Sequence, residues 1–233
     1  MNIVITGASQ GIGYELVKKL SVDPGHRLLA ISRNVNALND LQKLCREMSG
    51  NEIIIEGIDL ADEMFPGRMK SLLDKRMPVV DILVNNAGQL INKPFEELSV
   101  EDFDSMFNVN VKGVFLLVKM MLGYFNRPAH IVNIGSMGGY QGSTKFPGLS
   151  LYSASKGALA TLTECMAEEF REMDIRANCL ALGSAQTEML GRAFPEFKAP
   201  VTAGEMAGFI AGFCLEGHHF FNGKILPVAV TTP

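Results

Sequence analysis

The 233-residue chain has no tryptophan, four cysteines and four histidines, and charged residues make up only 20% of it. Its thiols, Cys45, Cys165, Cys179 and Cys214, show no CxxC and no regular spacing. That argues against a disulfide framework or a zinc site and predicts reduced, buried side chains. His218 and His219 are adjacent, so they project differently, and no nearby Asp, Glu or Cys cluster completes a metal site. No metal is expected. Basic blocks are missing as well: 21 Lys and Arg face 25 Asp and Glu, for a net charge of −4, so nucleic acid is not an expected partner. No apolar run approaches the roughly 18 residues of a membrane helix. Met1 to Ile5 runs straight into an apolar stretch, with no cationic segment or cleavage signal before it. The expectation is a cytoplasmic protein without a membrane partner.

What is present is a sizeable core. Hydrophobic residues make up 47% of a chain whose length suits one α/β domain. Short apolar runs without polar alternation recur at Ile3–Ile5, Leu28–Ile31, Ile53–Ile55, Ile82–Val84, Ile131–Ile134, Ala177–Leu182 and Ile225–Val230. Between them apolar residues return at helical spacing: Leu16, Val17 and Leu20; then Leu38, Leu41, Leu44 and Met48; and a long pattern from Leu151 to about Met173. Continuous apolar strands alternating with helices predict a doubly wound parallel sheet of about seven strands, covered by helices on both faces. In such a sheet the ligand crevice lies at the carboxyl ends of the strands. One domain over residues 1–233 is expected.

The turn after the first strand reads Thr6-Gly7-Ala8-Ser9-Gln10-Gly11-Ile12-Gly13. Glycines at 7, 11 and 13 permit a tight turn and close approach of a pyrophosphate to the N-terminus of the following helix. The alternative is an ordinary strand–helix turn. The second strand ends in Ile31-Ser32-Arg33-Asn34. An acidic residue there suits a free ribose 2′-OH, whereas Arg33 suits a 2′-phosphate, so NADP(H) is favoured over NAD(H). Gln10 offers no second positive charge, and Arg33 as a solvated loop residue is the competing reading. Tyr152 and Lys156 lie four apart on one helix face. A tyrosine of pKa ~10 needs a neighbouring ammonium to bring its phenol toward the working range of a proton shuttle. Alone, such a pair arises by chance on many exposed helices.

These motifs come in a fixed order with Asp59-Leu60, Asn85-Asn86-Ala87-Gly88, Asn108-Val109-Asn110, Ile131-Val132-Asn133-Ile134-Gly135-Ser136 and Ile175-Arg176-Ala177-Asn178. From Asn2 to about Val228 the chain thereby resembles the short-chain dehydrogenase/reductase family. The resemblance implies a single-domain Rossmann fold and an NAD(P)(H)-dependent oxidoreductase acting on CH–OH or C=O groups, with a ketone or aldehyde reduced by NADPH or the alcohol oxidised in reverse. Tyr152 would be the acid or base. Lys156 would hold the nicotinamide ribose and lower the tyrosine pKa, Ser136 would bond the substrate oxygen, and Asn110 would support a water linking Lys156 to solvent. Gly7, Ser9, Gln10, Gly11, Ile12, Gly13, Arg33, Asp59, Leu60, Asn86, Ala87 and Gly88 would hold the adenosine and diphosphate side of the cofactor. Gly183, Ala185 and Thr187 would lie by its nicotinamide, whose carboxamide Thr187 would contact. Structural readings compete: Ser136 ending its strand, Asn110 capping or kinking a helix, and Asp59 serving as a turn residue. A non-catalytic NADP-binding sensor or assembly protein on the same fold is the alternative function. A nucleotide-sugar epimerase or dehydratase is disfavoured by the TGxxxGxG spacing and the short C-terminal part.

Three features depart from the family's pattern. Sixteen positions separate Ser136 from Tyr152, and the glycine-rich stretch 138–148 reads as a mobile loop at the substrate mouth. Leu182-Gly183 replaces the usual Pro-Gly, which predicts a less rigid backbone there. The stretch from Thr187 to Ala203, with Met189, Leu190, Phe194 and Phe197, is short for a lid. Substrate loops are thus expected at about 137–151 and 184–203, around an open site suited to a bulky or carrier-attached small-molecule carbonyl or alcohol. Met120-Met121 continue an apolar helix containing Val114 to Val118. Such a helix reads as buried. The resemblance implies that it packs on a second subunit in a homodimer or homotetramer, burial inside one chain being the alternative.

Overall fold

The computed structural model describes residues 1–230. Its elements run β1 (Asn2–Thr6), α1 (Gly11–Leu20), β2 (Arg27–Ser32), α2 (Val35–Ser49), β3 (Ile54–Gly57), α3 (Phe65–Arg76) and β4 (Val80–Asn85). They continue with α4 (Val100–Phe107), α5 (Gly113–Met121), β5 (Phe125–Ile134), α6 (Ser150–Glu169), β6 (Ile175–Leu182) and β7 (Ala185–Gln186). The described chain closes with α7 (Glu188–Ala193), β8 (Val201–Thr202), α8 (Ala203–Glu216) and β9 (Ile225–Val228). Seven strands form one parallel sheet in the order β3-β2-β1-β4-β5-β6-β9, and β7 pairs with β8 outside it.

The sheet is sandwiched because its strands are apolar on both faces. Along β1, Val4 joins the core under α3, α5 and α6, while Ile3 and Ile5 join the core under α1, α2 and α8. Strand alternation sends successive side chains to opposite faces, so a run of three aliphatics demands two covers. On one side Phe65, Met69 and Leu73 of α3 meet Leu117, Val118 and Met121 of α5. On the other, Leu16 and Val17 of α1 meet Leu38 and Leu41 of α2 and Ile210 of α8. Strand β1 pairs with β2 on one side and β4 on the other. The chain reverses its direction of winding between them, and this opens the crevice at the carboxyl ends.

Several expectations change at the edges. Strand β9 stops at Val228 instead of Val230, and β3 begins at Ile54. Helix α6 ends at Glu169, and one tighter turn over Arg171–Met173 follows before Asp174 takes a left-handed φ of 54°. In α2 the buried stripe is Leu38, Leu41 and Cys45, and Met48 faces solvent. All four thiols are free, but Cys165 lies on the exposed face of α6 and is not buried like the others. Helix α5 is not buried all round. It sinks Val114, Leu117, Val118 and Met121 into the core and leaves Phe115 47% exposed.

A short polar ladder crosses the core beneath the crevice. Asn85 Nδ2 donates to Asn133 Oδ1 at 2.8 Å, Asn133 Nδ2 donates to Thr163 Oγ1 at 2.8 Å, and that hydroxyl donates to the Leu159 carbonyl at 2.7 Å. It ties β4 and β5 to α6. A buried polar group that loses its partner carries the full desolvation cost. Asn133→Ala is therefore expected to lose about 1–3 kcal/mol of stability. This would be read as a lower denaturant midpoint at unchanged slope. An unchanged midpoint would show that the ladder adds nothing.

Candidate active site

The turn after β1 is built by close approach. Gly7 and Gly11 have φ of 68° and 56°. A Cβ on Gly7 would lie 2.7 Å from the Ala87 Cα, and one on Gly13 would lie 2.3 Å from the Gly7 carbonyl oxygen. The Thr6 hydroxyl accepts from the amides of Asn86 and Ala87, both at 3.1 Å, and Asn86 Nδ2 donates back to the carbonyls of Thr6 and Gly7 at 3.0 and 3.1 Å. At the end of this turn α1 begins without a side-chain cap on its N-terminal amides and without an acidic residue in its first turn. Such an end attracts an anion.

Beside it, Ser32 donates to Ser9 at 2.7 Å, joining the turn to the end of β2. Arg33 is exposed there, 4.0 Å from the Asp59 carboxylate. Asp59 also accepts from the Ala61 amide at 3.0 Å, so it faces the cleft and holds its own turn. One cleft of about 1050 Å³ gathers every candidate cofactor residue except Gly13, together with Ser136, Tyr152 and Lys156. Gly13 sits behind the turn and serves its packing. Asn110 does not line the cleft either.

Asn110 is fully buried in one wider turn, Asn108–Lys112, between α4 and α5. Its Nδ2 donates to the Gln89 carbonyl and to Ser155 Oγ, both at 2.9 Å, and its Oδ1 accepts from the Gln89 amide at 2.8 Å. Ser155 in turn donates to the Tyr152 carbonyl at 2.7 Å. Asn110 thus ties this wider turn to Gln89 and braces the first turn of α6 through Ser155. A Cβ on Gly88 would lie 3.5 Å from both Asn110 Oδ1 and Lys156 Nζ. Sequence reasoning assigned Gln89 and Ser155 no role, although Ser155 sits inside the Tyr152–Lys156 interval.

Ser136 lies just past the end of β5, and its Oγ accepts from the Gly138 amide at 3.1 Å, capping the short turn Met137–Gly139. That turn lies directly on α6: a Cβ on Gly139 would be 2.5 Å from the Gly157 amide nitrogen. The glycines let Ser136 stand beside Tyr152.

The electrostatics differ from the expectation. Burial raises the Tyr152 phenol above its ordinary pKa, and the Ser136 hydroxyl is the contact that pulls it back down. Lys156 donates to the Ile134 carbonyl at 2.7 Å, and its ammonium is 5.9 Å from the Tyr152 ring centre. Burial lowers Lys156 itself to about 8, against a smaller upward pull from Cys179. The expected lowering of the tyrosine by the lysine is therefore absent from this arrangement, because desolvation acts on both groups and the ammonium is turned to a backbone carbonyl.

The remaining departures find structural explanations. Leu182 is paired with Val228 of β9, and the Gly183 amide donates to the Val228 carbonyl at 2.9 Å. Strand pairing, not proline, holds this backbone. The 187–203 stretch is tied down as well. Thr187 caps α7 by accepting from the Leu190 amide at 3.2 Å, and its methyl packs on the Gly11 turn. Asn92 Nδ2 donates to the Ala193 carbonyl at 2.8 Å. Loop 138–148 is pinned by Lys145, which donates to the Tyr140 carbonyl at 2.7 Å, and by the Lys93 amide, which donates to the Gly148 carbonyl at 3.1 Å.

One residue had no sequence signal. Arg192 of α7 donates to Gln10 Oε1 at 3.1 Å, bringing a cation to the position where the turn lacks one. His218 stacks among His130 and His219, with ring centres 5.5 and 4.0 Å away. Among the described residues no group of three or more His, Cys, Asp or Glu is placed to hold a metal.

A sequence profile described as short chain dehydrogenase matches residues 1–197. The chain is 36% identical over 181 residues to a carbonyl reductase (NADPH) 2 of Sus scrofa, covering 76% of this chain and 69% of that one. It is 37% identical over 180 residues to an L-xylulose reductase of Bos taurus, covering 76% and 68%. A solved short chain dehydrogenase of Burkholderia cenocepacia in complex with NADP superposes with a TM-score of 0.87 at 25% identity, covering 97% and 95% of the two chains.

Lys156 makes a test of the buried charge. Its folded pKa of about 8 lies below the ordinary 10.5. The burial penalty is therefore fully present below pH 8 and is relieved as pH rises from there to 10.5. The Lys156 contribution to the stability of the ligand-free protein is expected to climb across that window by on the order of 3 kcal/mol, against the opposite drift of the buried thiols Cys45, Cys179 and Cys214, which burial holds above their ordinary pKa. In Lys156→Met the climb disappears, and the variant is no less stable than the parent at pH 7. Denaturant midpoints at neutral and alkaline pH check both statements.

Proposed function

The chain belongs to the short-chain dehydrogenase family, and from that premise we propose an NADP(H)-dependent oxidoreductase that reduces a ketone or aldehyde. The observation that carries this reading is the convergence of Ser136, Tyr152 and Lys156 on the wall of a cleft with the glycine turn at its other end. A protein that only bound a dinucleotide would need the turn and Arg33 but not a buried lysine beside a half-buried tyrosine. The relatives named carbonyl reductase and L-xylulose reductase, and the neighbour solved with NADP, support the same choice.

The residues present fit the cofactor. Side chains at Gly7 and Gly11 would strike Ala87 and crowd Thr187, so these glycines keep the turn tight; the first amides of α1 are left without a side-chain cap for an anion, and Arg33 stands exposed at the end of β2 for a 2′-phosphate. Arg192, brought to Gln10 by α7, is the second cation and would face the diphosphate at the glycine turn. The bound dinucleotide supplies the hydride.

The chain supplies orientation and the proton. Ser136 Oγ and the Tyr152 hydroxyl receive the carbonyl oxygen, and Tyr152 gives it a proton as charge develops there. Burial keeps the phenol protonated at neutral pH, which suits reduction. Lys156 holds the ribose hydroxyls. Asn110 acts by position, fixing Gln89 and, through Ser155, the turn that bears Tyr152. Its Oδ1 keeps a lone pair for a water beside Lys156. Copies of the chain would pair through the Phe103, Phe107 and Phe115 face as a homodimer or homotetramer.

Tyr152→Phe is expected to keep NADPH affinity, measured by nicotinamide fluorescence, and to lose about 10²–10⁴-fold in turnover. A fully active variant would remove Tyr152 from this role. Because the Lys156 ammonium is the working form and its pKa is about 8, kcat/KM for reduction should be level at neutral pH and fall above about 8. A rise there would contradict the assignment. Arg33→Ala should weaken NADPH but not NADH, and Arg192→Ala should weaken both, each by about tenfold for one charged hydrogen bond. Equal titration curves for variant and parent would dismiss the residue concerned.

A further inference from the structure

The wall facing Ser136 and Tyr152 is built from three separate pieces of chain. Leu90 comes from the segment after β4, Met137 and Phe146 from the loop before α6, and Met189, Leu190 and Phe194 from α7 and its end. Asn92 binds these pieces together: it donates to the Ala193 carbonyl, and a Cβ on Gly148 would strike its side-chain oxygen at 1.9 Å. The wall is thus a connected apolar surface and not a set of independent loops.

Charge is absent from this half of the cleft. Of the charged side chains lining the cleft, Arg33 and Asp59 stand together at the β2–β3 end, and Glu188 lies against the Gly11 turn. Glu205 is locked into the cap of α8, accepting from the Thr202 amide at 2.9 Å and its hydroxyl at 2.7 Å. Lys156 faces the Ile134 carbonyl. Of the cations on the surrounding segments, Lys93 pairs with Asp102 at 2.7 Å, Lys145 holds the Tyr140 carbonyl and Arg192 donates to Gln10, while Lys198 is exposed next to Phe197 and is not among the cleft-lining residues. Apart from the catalytic pair, Thr144 and Ser184 are the hydroxyl side chains on this side. At the mouth Phe146 and Phe197 are 45% and 48% exposed, leaving aromatic surface in water.

From this lining we infer that the substrate is an uncharged ketone or aldehyde whose carbonyl sits on a mainly hydrocarbon or aromatic body, and that sugars and carboxylate-bearing carbonyls are rejected. The inference rests on the reductase reading above and narrows it. A sugar would carry several hydroxyls from water to a wall with only Thr144 and Ser184 to bond them, and each unpartnered hydroxyl costs roughly tenfold or more in specificity. A carboxylate would meet no free cation among the lining residues on this side. An apolar body instead covers Phe146, Phe194 and Met189 and gains by the same burial that stabilises the core.

The test uses the intact protein with NADPH and compares kcat/KM for acetophenone and a medium-chain methyl ketone with that for a pentulose and a keto-sugar acid. The apolar pair should be preferred by about 100-fold or more. Preference for the sugars would overturn the inference and leave the reductase reading standing. Binding of NADPH with turnover of neither class would overturn the reductase reading, and the inference with it. Phe146→Ser should lower kcat/KM for the methyl ketone about tenfold through KM, with NADPH affinity unchanged, and Phe146→Leu should restore most of it. Unchanged kcat/KM in Phe146→Ser would take Phe146 out of the substrate wall.

Discussion

Thr6 and Asn86 hold together the two strand ends between which the cleft opens. The threonine hydroxyl accepts two backbone amides from the β4 side, and the asparagine side chain donates to two carbonyls on the β1 side. Strands β1 and β4 are neighbours in the sheet but distant in sequence, and the winding reverses between them. Every ligand-facing feature follows from that junction. It fixes the glycine turn against Ala87, it presents the uncapped start of α1, and it leaves a gap that helices cannot cover. Gly7 and Gly13 are the condition for this closeness, since backbone occupies the space a side chain would need.

The second organising factor is desolvation. The same two-sided apolar cover that stabilises the sheet places Tyr152, Lys156 and His130 where charge is unfavourable. The phenol rises, the lysine falls to about 8, and His130 falls to about 4 with its ring bonded to the Cys214 carbonyl and to Asn178. His130 is therefore a neutral structural group. Tyr152 and Lys156 differ from it by facing a cleft, so the cost of their burial is available to bound partners that restore their hydrogen bonds.

Contacts over long sequence distances supply what local rules would give to special residues. The backbone at Leu182 and Gly183 is held by β9 pairing and not by a proline. The missing cation of the glycine turn arrives from α7 in Arg192. The short 187–203 stretch is tied by pairing of β7 with β8 and by Asn92, which joins it to the segment after β4.

Strand runs such as Ile3–Ile5 and Ile131–Ile134, the glycine turn, and the Ser136, Tyr152 and Lys156 set were legible in the residues because each depends on local spacing. Two-sided burial leaves continuous apolar runs, tight turns need glycine, and a helix puts positions four apart on one face. Features that depend on packing were not legible. Exposure of Phe115 and Cys165 is decided by which side of a helix meets the sheet. The direction of the Tyr152 pKa is decided by burial and by where the Lys156 ammonium turns. Asn110 holding Ser155, Arg192 reaching Gln10, and the apolar wall shared by Leu90, Phe146 and Phe194 join residues from separate segments. The sequence by itself thus determined the fold class and the candidate site residues, which local patterns encode. Only the tertiary structure decided the environment of those groups, because desolvation and reach are set by what the rest of the chain brings alongside.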